Sequence, residues 1–364
     1  MALRISDRSN RLRPILLCAL LAVGGAGEAF GQGATLERAI VSASGSLSSA
    51  QSATLASFIG QHTTALREST DARKIEEARN ALITPSRDPA ATIAFRKAYA
   101  AALAPELAEA VNGRDLRRAL QAMQVLRFTR SPEGLDLVIA RTDAKAESNA
   151  GKRLAAASLV ADAFEDLDAN NAYYESAARR LRDACAGEGD WISLQQKLQS
   201  IGAAARRKDL PGDTVRSIRR SQAEAMAELA RSMKAAKSAD PRMQSLQRAL
   251  VTLRNDLLLM QTADRSAMAK VLAPALADVI AAGVPHWDSA HADKALSQSY
   301  AATLNSCETL LRLIDRAERP QAYAGSQPDA DGRVLTPAWE AKEKAAFEAE
   351  SKRWSGIVAA APYR

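Results

Sequence analysis

Aromatic residues make up only 4% of this 364-residue sequence, and histidine and cysteine occur three times each. With so few Trp, Tyr and Phe side chains, the chain offers little for unpaired bases or sugar rings to stack on. Nucleic acid is therefore an unlikely partner by composition. His62, His286 and His291 are its only imidazoles, so few groups titrate near neutrality. G-x-S-x-G, H-E-x-x-H, the Walker loop and the glycine pattern of dinucleotide sites are all missing. No segment alternates apolar and polar residues long enough to read as a strand. These absences point away from the common enzyme classes and away from β structure.

What is present favours helix. Hydrophobic residues reach 47% despite the lack of rings, because alanine supplies much of the count. Alanine has the highest helix propensity and lets helices approach closely, but it buries little area per residue. Stability must then come from many shallow contacts. The sequence reads as all-α, with the mature chain free of a transmembrane span.

The first 29 residues read as a secretory signal peptide. Arg4, Arg8, Arg11 and Arg13 form a basic start, and Ile15 to Val23 is an apolar run of nine residues, short of a bilayer span. Gly27-Glu28-Ala29 supplies a small-x-small cleavage site. Leu17 before Cys18 does not fit a lipoprotein motif. Removal of residues 1–29 takes four arginines and two acids, leaving 45 basic against 40 acidic residues, a net +5. The chain is thus expected to be exported, to the periplasm or outside the cell. In such a compartment Cys185 and Cys307 could pair, and spacing alone does not decide it. Cys185 continues the apolar stripe of Tyr174, Ala178 and Leu181, which reads as a small buried hydrophobe.

The stretch from Asp115 to Asp143, DLRRALQAMQVLRFTRSPEGLDLVIARTD, organises the rest. Leu116, Leu120, Met123 and Leu126 recur at three- and four-residue spacing around Ala119, one apolar stripe of a helix. Asp115 caps its start. Ser131-Pro132-Glu133 then gives a cap, a proline at the first helical position and an acid in the first turn of a second helix carrying Leu135, Val138 and Ile139.

This helix–turn–helix unit resembles a HEAT-like repeat of bacterial helical solenoids. The likeness is carried by LRRALQAMQVLRF, the turn containing Pro132, and GLDLVIARTD. It implies antiparallel helix pairs stacked as an irregular α-solenoid that binds partners along its length. No second copy recurs at a fixed period, and a multi-helix bundle is the other arrangement. The expected organisation is a helical-hairpin region over 30–210, a longer-helix bundle over 211–319, a loop over 320–336 and a C-terminal helix over 337–364.

Along the chain, Leu47 to Arg67 and Asp71 to Ile83 read as helices. Asp88-Pro89 reads as the start of the next, which Pro105 should kink or end near Leu103. Helices are expected over 151–167, 174–185, from Trp191, and over 214–237, 241–261 and 264–283, the last bent at Pro274. Ser289 to Ala317 is a further long helix, and Thr336-Pro337 opens the last, carrying Trp339, Phe347 and Trp354.

Four clusters bear on chemistry. His286, Asp288, His291 and Asp293 gather imidazoles and carboxylates, but five-residue spacing does not stack two histidines on one helix face. Asp288 or Ser289 reads instead as a helix cap. Asp329, Asp331 and Glu340 fit three places of a calcium loop, while Arg333 and Val334 occupy positions where a ligand and the turn glycine are needed. Arg206, Arg207, Lys208, Arg216, Arg219 and Arg220 form the densest basic patch, which would suit an anionic glycan or lipid surface. Arg220 and Glu224 are spaced for an ordinary surface pair. A lyase or hydrolase of an anionic glycan would have His286 and Tyr300 as its candidate groups. The reading preferred here assigns no catalytic, cofactor-binding or metal residue, and takes the protein as a non-enzymatic scaffold binding another envelope protein.

Overall fold

The computed structural model describes residues 35–324 and 332–364, and these are helical with no strand among them. A four-residue turn, α1 (Arg38–Val41), precedes α2 (Ser49–Glu68), α3 (Ala72–Arg87), α4 (Ile93–Asn112), α5 (Leu116–Phe128), α6 (Pro132–Ala140) and α7 (Ala150–Ala163). Then come α8 (Asn171–Ala186), α9 (Trp191–Ala205), α10 (Gly212–Ala235), α11 (Met243–Leu259), α12 (Thr262–His291) and α13 (Lys294–Glu318). A 3-10 turn, Pro320–Tyr323, α14 (Leu335–Glu340) and α15 (Lys344–Val358) follow. The segment read from sequence as a signal peptide, with Asp329 and Asp331, lies outside the described residues.

Short polar side chains set many of the starts. Ser48 and Gln51 form a reciprocal capping box at α2. Asp115 accepts from Arg118 N–H at α5, and Asn149, Asn170 and Asp190 do the same at α7, α8 and α9. Pro132 takes the first position of α6, but the Ser131 hydroxyl donates to Glu133 rather than capping the helix. Within α5 the buried face is Ala119, Ala122, Met123, Val125 and Leu126, while Leu116 is exposed.

Prolines mislead the sequence reading in three places. The α3 helix continues through Pro85 to Arg87, so Asp88 ends it, and α4 starts at Thr92 rather than at Asp88-Pro89. Helix α4 runs on through Pro105, and α12 passes both Pro274 and Pro285 to end at His291. A proline inside a helix leaves the carbonyl four residues earlier without its donor. Those residues, Ala81, Ala101, Lys270 and Ala281, are none of them buried, so water can serve the orphaned oxygens. The start expected at Asp288 or Ser289 is instead the last turn of α12. The true cap of α13 is Asp293, whose carboxylate accepts from Ala295 and Leu296 N–H.

The expected single C-terminal helix is two. Lys342 takes a left-handed conformation (φ 59°) after α14. Glu343 N–H donates to Ala338 O and Lys342 N–H to Trp339 O, a Schellman closure. That position favours glycine, since a Cβ there crowds the backbone. Lys342→Gly is expected to raise unfolding free energy by about 0.5–1 kcal/mol, read from denaturant midpoints. A lower midpoint would show that the lysine itself holds the turn.

Helices two apart in the chain pack on one another. In one row α2 touches α4, α4 touches α6, and the series continues through α8 and α10 to α12. In the other α3 touches α5, and so on through α7, α9 and α11 to α13. The rows join through hairpin neighbours such as α2 with α3, α8 with α9 and α12 with α13. Helix α12 is long and apolar enough to cross a membrane by composition, but 61% of its most apolar window is buried in this packing. Gly283 lets α15 seat there, because a Cβ would fall 2.7 Å from Phe347 Cζ.

Side chains link stacked helices at offsets from 35 residues, Arg127 to Asp162, to 60, Thr303 to Met243, with a group at 42 and 43. Ser193 Oγ donates to Ala150 O, Ser200 Oγ to Ala157 O and Arg207 Nη1 to Phe164 O, each across 43 residues. Arg79 to Gln121, Arg182 to Glu224 and Ser217 to Glu175 each span 42. On one edge, buried charges tie the connections together. Arg153 grips the Glu188 carboxylate with two 2.7 Å bonds, and Lys197 Nζ adds a third of 2.7 Å. Lys152 pairs with Glu147 at 2.7 Å and donates to Gly113 O. The loops α4–α5, α6–α7 and α8–α9 are thereby held along one line.

Residues 35–364 form one compact unit whose interior holds two hydrophobic clusters. The first runs from Ile40 to Ile218 and the second from Cys185 to Tyr363. Helices α8, α9 and α10 contribute to both, so they bridge the position 210/211 read from the sequence as a boundary.

Candidate functional site

The histidines singled out by sequence are tied into the fold. His286 is fully buried. Its Nε2–H faces Ala236 O at 3.1 Å, which makes Nδ1 the acceptor of the Tyr300 hydroxyl at 2.8 Å. That hydroxyl accepts in turn from Asp240 N–H at 2.8 Å. The two groups proposed for a catalytic pair are thus together, but sealed, and they pin the α10–α11 connection onto α12 and α13. His291 has Trp287 O at 2.9 Å from Nδ1 and Trp339 O at 3.0 Å from Nε2. His62 packs edge-on to Phe58 in α2.

Burial lowers the His286 pKa below the ordinary histidine value, partly opposed by its bond to Ala236 O and by Asp240. The folded protein then resists a proton that the unfolded chain accepts, so stability present above about pH 6.5 is lost as pH falls below it. The stability gap between wild type and His286→Gln is expected to narrow between pH 7.5 and pH 5.5 in thermal unfolding. A gap independent of pH would contradict the neutral tautomer.

Neither cysteine is paired: Cys185 and Cys307 are free and buried, and desolvation pushes the Cys185 thiol up to about 12. Among the described residues no group of three or more His, Cys, Asp and Glu could hold a metal ion. Glu340 of the calcium-like count is exposed on α14.

The basic patch over 206–220 meets acids of its own chain. Arg207 pairs with Asp209, Arg216 with Asp213 and Asp264, Arg219 with Asp256 and Arg220 with Glu224. Arg207 also donates to Phe164 O and Leu167 O at the end of α7, where a cation complements the helix dipole. Most of this charge is spent internally.

A different surface gathers arginines from separate parts of the chain. On α13, Gln298, Ala302, Asn305, Thr309, Arg312 and Arg316 succeed one another at three- and four-residue spacing. They therefore share one face along about 27 Å of helix. Two hollows open along it. The first, about 570 Å³, lies against α14 and is lined by His291, Gln298, Asn305, Arg333 and Lys342, with Glu340 as its acid. The second, about 470 Å³, lies between α11 and α13, with Arg254, Leu258, Arg312, Leu313 and Arg316 in its wall and no acid among the described residues that line it. Arg333 lines both and donates to Asn305 Oδ1 at 3.0 Å.

One buried carboxylate organises this surface from beneath. Glu308 accepts from Arg312 at 2.8 Å and from the backbone N–H of Val334 and Leu335 at 3.0 and 3.1 Å. It fixes an arginine in the second hollow and the start of α14 beside the first. Arg312 also donates to Gly332 O, and Arg316 lies over the Tyr323 ring at 5.6 Å.

The imbalance extends to the whole row. Helices α3, α5, α7, α9, α11 and α13 carry fifteen Lys and Arg against seven Asp and Glu, a net +8. Helices α2, α4, α6, α8, α10 and α12 carry thirteen of each. Five of the odd-row charges are buried: Lys152, Arg153, Lys197, Glu308 and Asp315. That leaves twelve basic and five acidic side chains toward solvent on this row. A further hollow of about 690 Å³ on α3, α5 and α7 belongs to the same row. There the Phe128 ring has Arg127 at 4.5 Å and Arg87 at 5.3 Å.

Sequence reasoning missed this surface because it weighed density of charge along the chain. Arg254, Arg312, Arg316 and Arg333 are spread over 80 residues and converge only when α11, α13 and α14 pack. The signal was legible in part: the outward face of 289–317 has no acid between Gln298 and Leu313.

Fold and surface together define an all-α protein of two helical rows with one basic side. No family model matches the chain, and no curated protein matches it.

Proposed function

We propose that this chain is an exported, non-enzymatic helical scaffold, built as a HEAT-like solenoid, that binds an acidic envelope protein along its odd-numbered row. The observation that carries this reading is the net +8 on one row beside the neutral other. Three of its cations, Lys152, Arg153 and Lys197, hold loops in place, and the excess that remains toward solvent favours a partner of opposite sign, raising encounter rate and fixing orientation. The 42- and 43-residue links support the solenoid reading, since HEAT units repeat at about 40–47 residues. Export rests on the basic, apolar and small-residue order of the first 29 residues.

Affinity capture from envelope extract with the full-length chain tests it. One stoichiometric partner, released as salt is raised, is the expected result, along with a mature chain that begins at Phe30. Turnover of an envelope glycan, or a mature chain retaining Met1, would contradict it.

A further inference from the structure

Independently of the protein partner, we propose that the outward face and C-terminal end of α11 form a docking surface for an anionic lipid membrane. Leu258 and Leu259 enter the boundary between headgroups and acyl chains, and Arg248 and Arg254 lie against lipid phosphates.

Sequence places these residues together. Arg248, Val251, Arg254, Asn255, Leu258 and Leu259 succeed one another at helical spacing and share one arc of α11 over about 16 Å. The opposite arc, with Leu246, Leu250, Leu253 and Leu257, is already buried in the core. The outward aliphatics are therefore not needed to pack the helix: Val251 is 42% exposed, Leu258 60% and Leu259 87%. Of the six large hydrophobics exposed among the described residues, three lie here, which makes a patch rather than isolated side chains. Past the helix end, half-buried Met260 extends it to a hollow of about 360 Å³ walled also by Met268 and Val271.

Charge and shape select the occupant. Arg248 and Arg254 are exposed, and neither meets a carboxylate among the described residues. The acids on either side of the helix end are engaged elsewhere, Asp256 with Arg219 and Asp264 with Arg216, at 3.2 Å each. Unpaired cations beside bare aliphatics are the combination that holds an amphipathic helix in an anionic interface. A second copy of this chain would bring like arginines face to face about a two-fold axis. A charged glycan leaves the aliphatics in water. A side chain 87% exposed stands on a projection, which a protein could receive only in a matching pocket, whereas a fluid interface accepts it in any orientation.

Two vesicle measurements test it. Residues 35–364, one compact unit without the apolar run at 15–23, are sedimented with phosphatidylcholine vesicles that carry or lack phosphatidylglycerol. Salt-sensitive binding at least about tenfold tighter to the anionic vesicles is expected. Arg248→Gln with Arg254→Gln, and Leu258→Ser with Leu259→Ser, should each weaken it at least about tenfold. Arg179→Gln with Arg231→Gln, exposed on the even row, should leave it unchanged. Thermal midpoints equal to wild type establish that each variant is folded. In the full chain with Cys18→Ser, a polarity-sensitive dye on Leu259→Cys should shift to the blue on anionic vesicles, and one on Arg231→Cys should not. Cys185 and Cys307 are buried and stay unlabelled. Equal binding to both vesicle types, wild-type affinity in the α11 variants, or a dye at position 259 that stays in water would overturn the proposal. So would an envelope protein captured without lipid and lost in Leu258→Ser with Leu259→Ser while vesicle affinity is kept. The vesicles carry no protein, so their failure leaves capture of an acidic partner as a separate test of the scaffold reading.

Discussion

Glu188→Ala is expected to cost about 3–5 kcal/mol of unfolding free energy, among the largest effects of any single change in the chain. The carboxylate is inaccessible to solvent and takes bonds from Arg153, Lys197 and Asp190 N–H. Removing it leaves two buried cations with no partner charge, and the penalty is the desolvation already incurred. The loss has a pH signature. Burial alone would raise this carboxyl, but the bonds from Arg153 and Lys197 outweigh it and bring the pKa from 4.5 down to about 2. An acid with a lowered folded pKa stabilises above its unfolded value and loses that contribution as pH falls toward the folded one. The difference between wild type and Glu188→Ala should therefore shrink between about pH 4.5 and pH 2. Chemical denaturation at pH 7 and pH 3 measures both. A cost under about 1 kcal/mol at pH 7 would mean that the two cations reach water on their own.

Trp339→Ala is expected to cost a similar amount, about 3–5 kcal/mol. The ring is 1% exposed and meets His291 at 4.4 Å, Trp287 at 4.8 Å, and Tyr300 and Phe347 at 5.4 Å each. Its Nε1–H donates to Ser297 O at 3.1 Å. Truncation opens a cavity between α12, α13 and α14 and removes an anchor that holds α14 against α13. Near-ultraviolet circular dichroism should lose intensity while the far-ultraviolet helical signal is kept. An unchanged near-ultraviolet spectrum would contradict the packing of the ring among four others.

Helix existence was legible in the sequence and helix extent was not, for one recurring reason. The Asp115 cap, the Pro132 start and the stripe of Tyr174, Leu181 and Cys185 are local signals, and local signals determine them. Pro85, Pro105 and Pro285 are local signals too, but in each case the residue four earlier is not buried, so water can serve its carbonyl and the helix runs through. The break at Lys342 carries no glycine to announce it; it is imposed by packing of Trp339 and Phe347 against α12. The 42- and 43-residue links were hidden because the linking residues differ in type. Ser200 meets a backbone carbonyl of Ala157, and Arg207 one of Phe164, so no residue identity repeats. The candidate site was the least legible, since its arginines come from three elements that only the fold brings together. The one part that sequence did expose, the acid-poor face of α13, reads as nothing until α11 and α14 flank it.

The most direct measurement compares two variants of equal charge in capture from envelope extract. Arg248, Arg254 and Arg333 replaced by glutamine remove three positive charges from the basic side. Arg179, Arg220 and Arg231 replaced by glutamine remove three from the even row, where all three are exposed. Loss of the partner in the first variant and its retention in the second is the predicted result. Equal retention, or equal loss, in the two would contradict a docking face confined to one row.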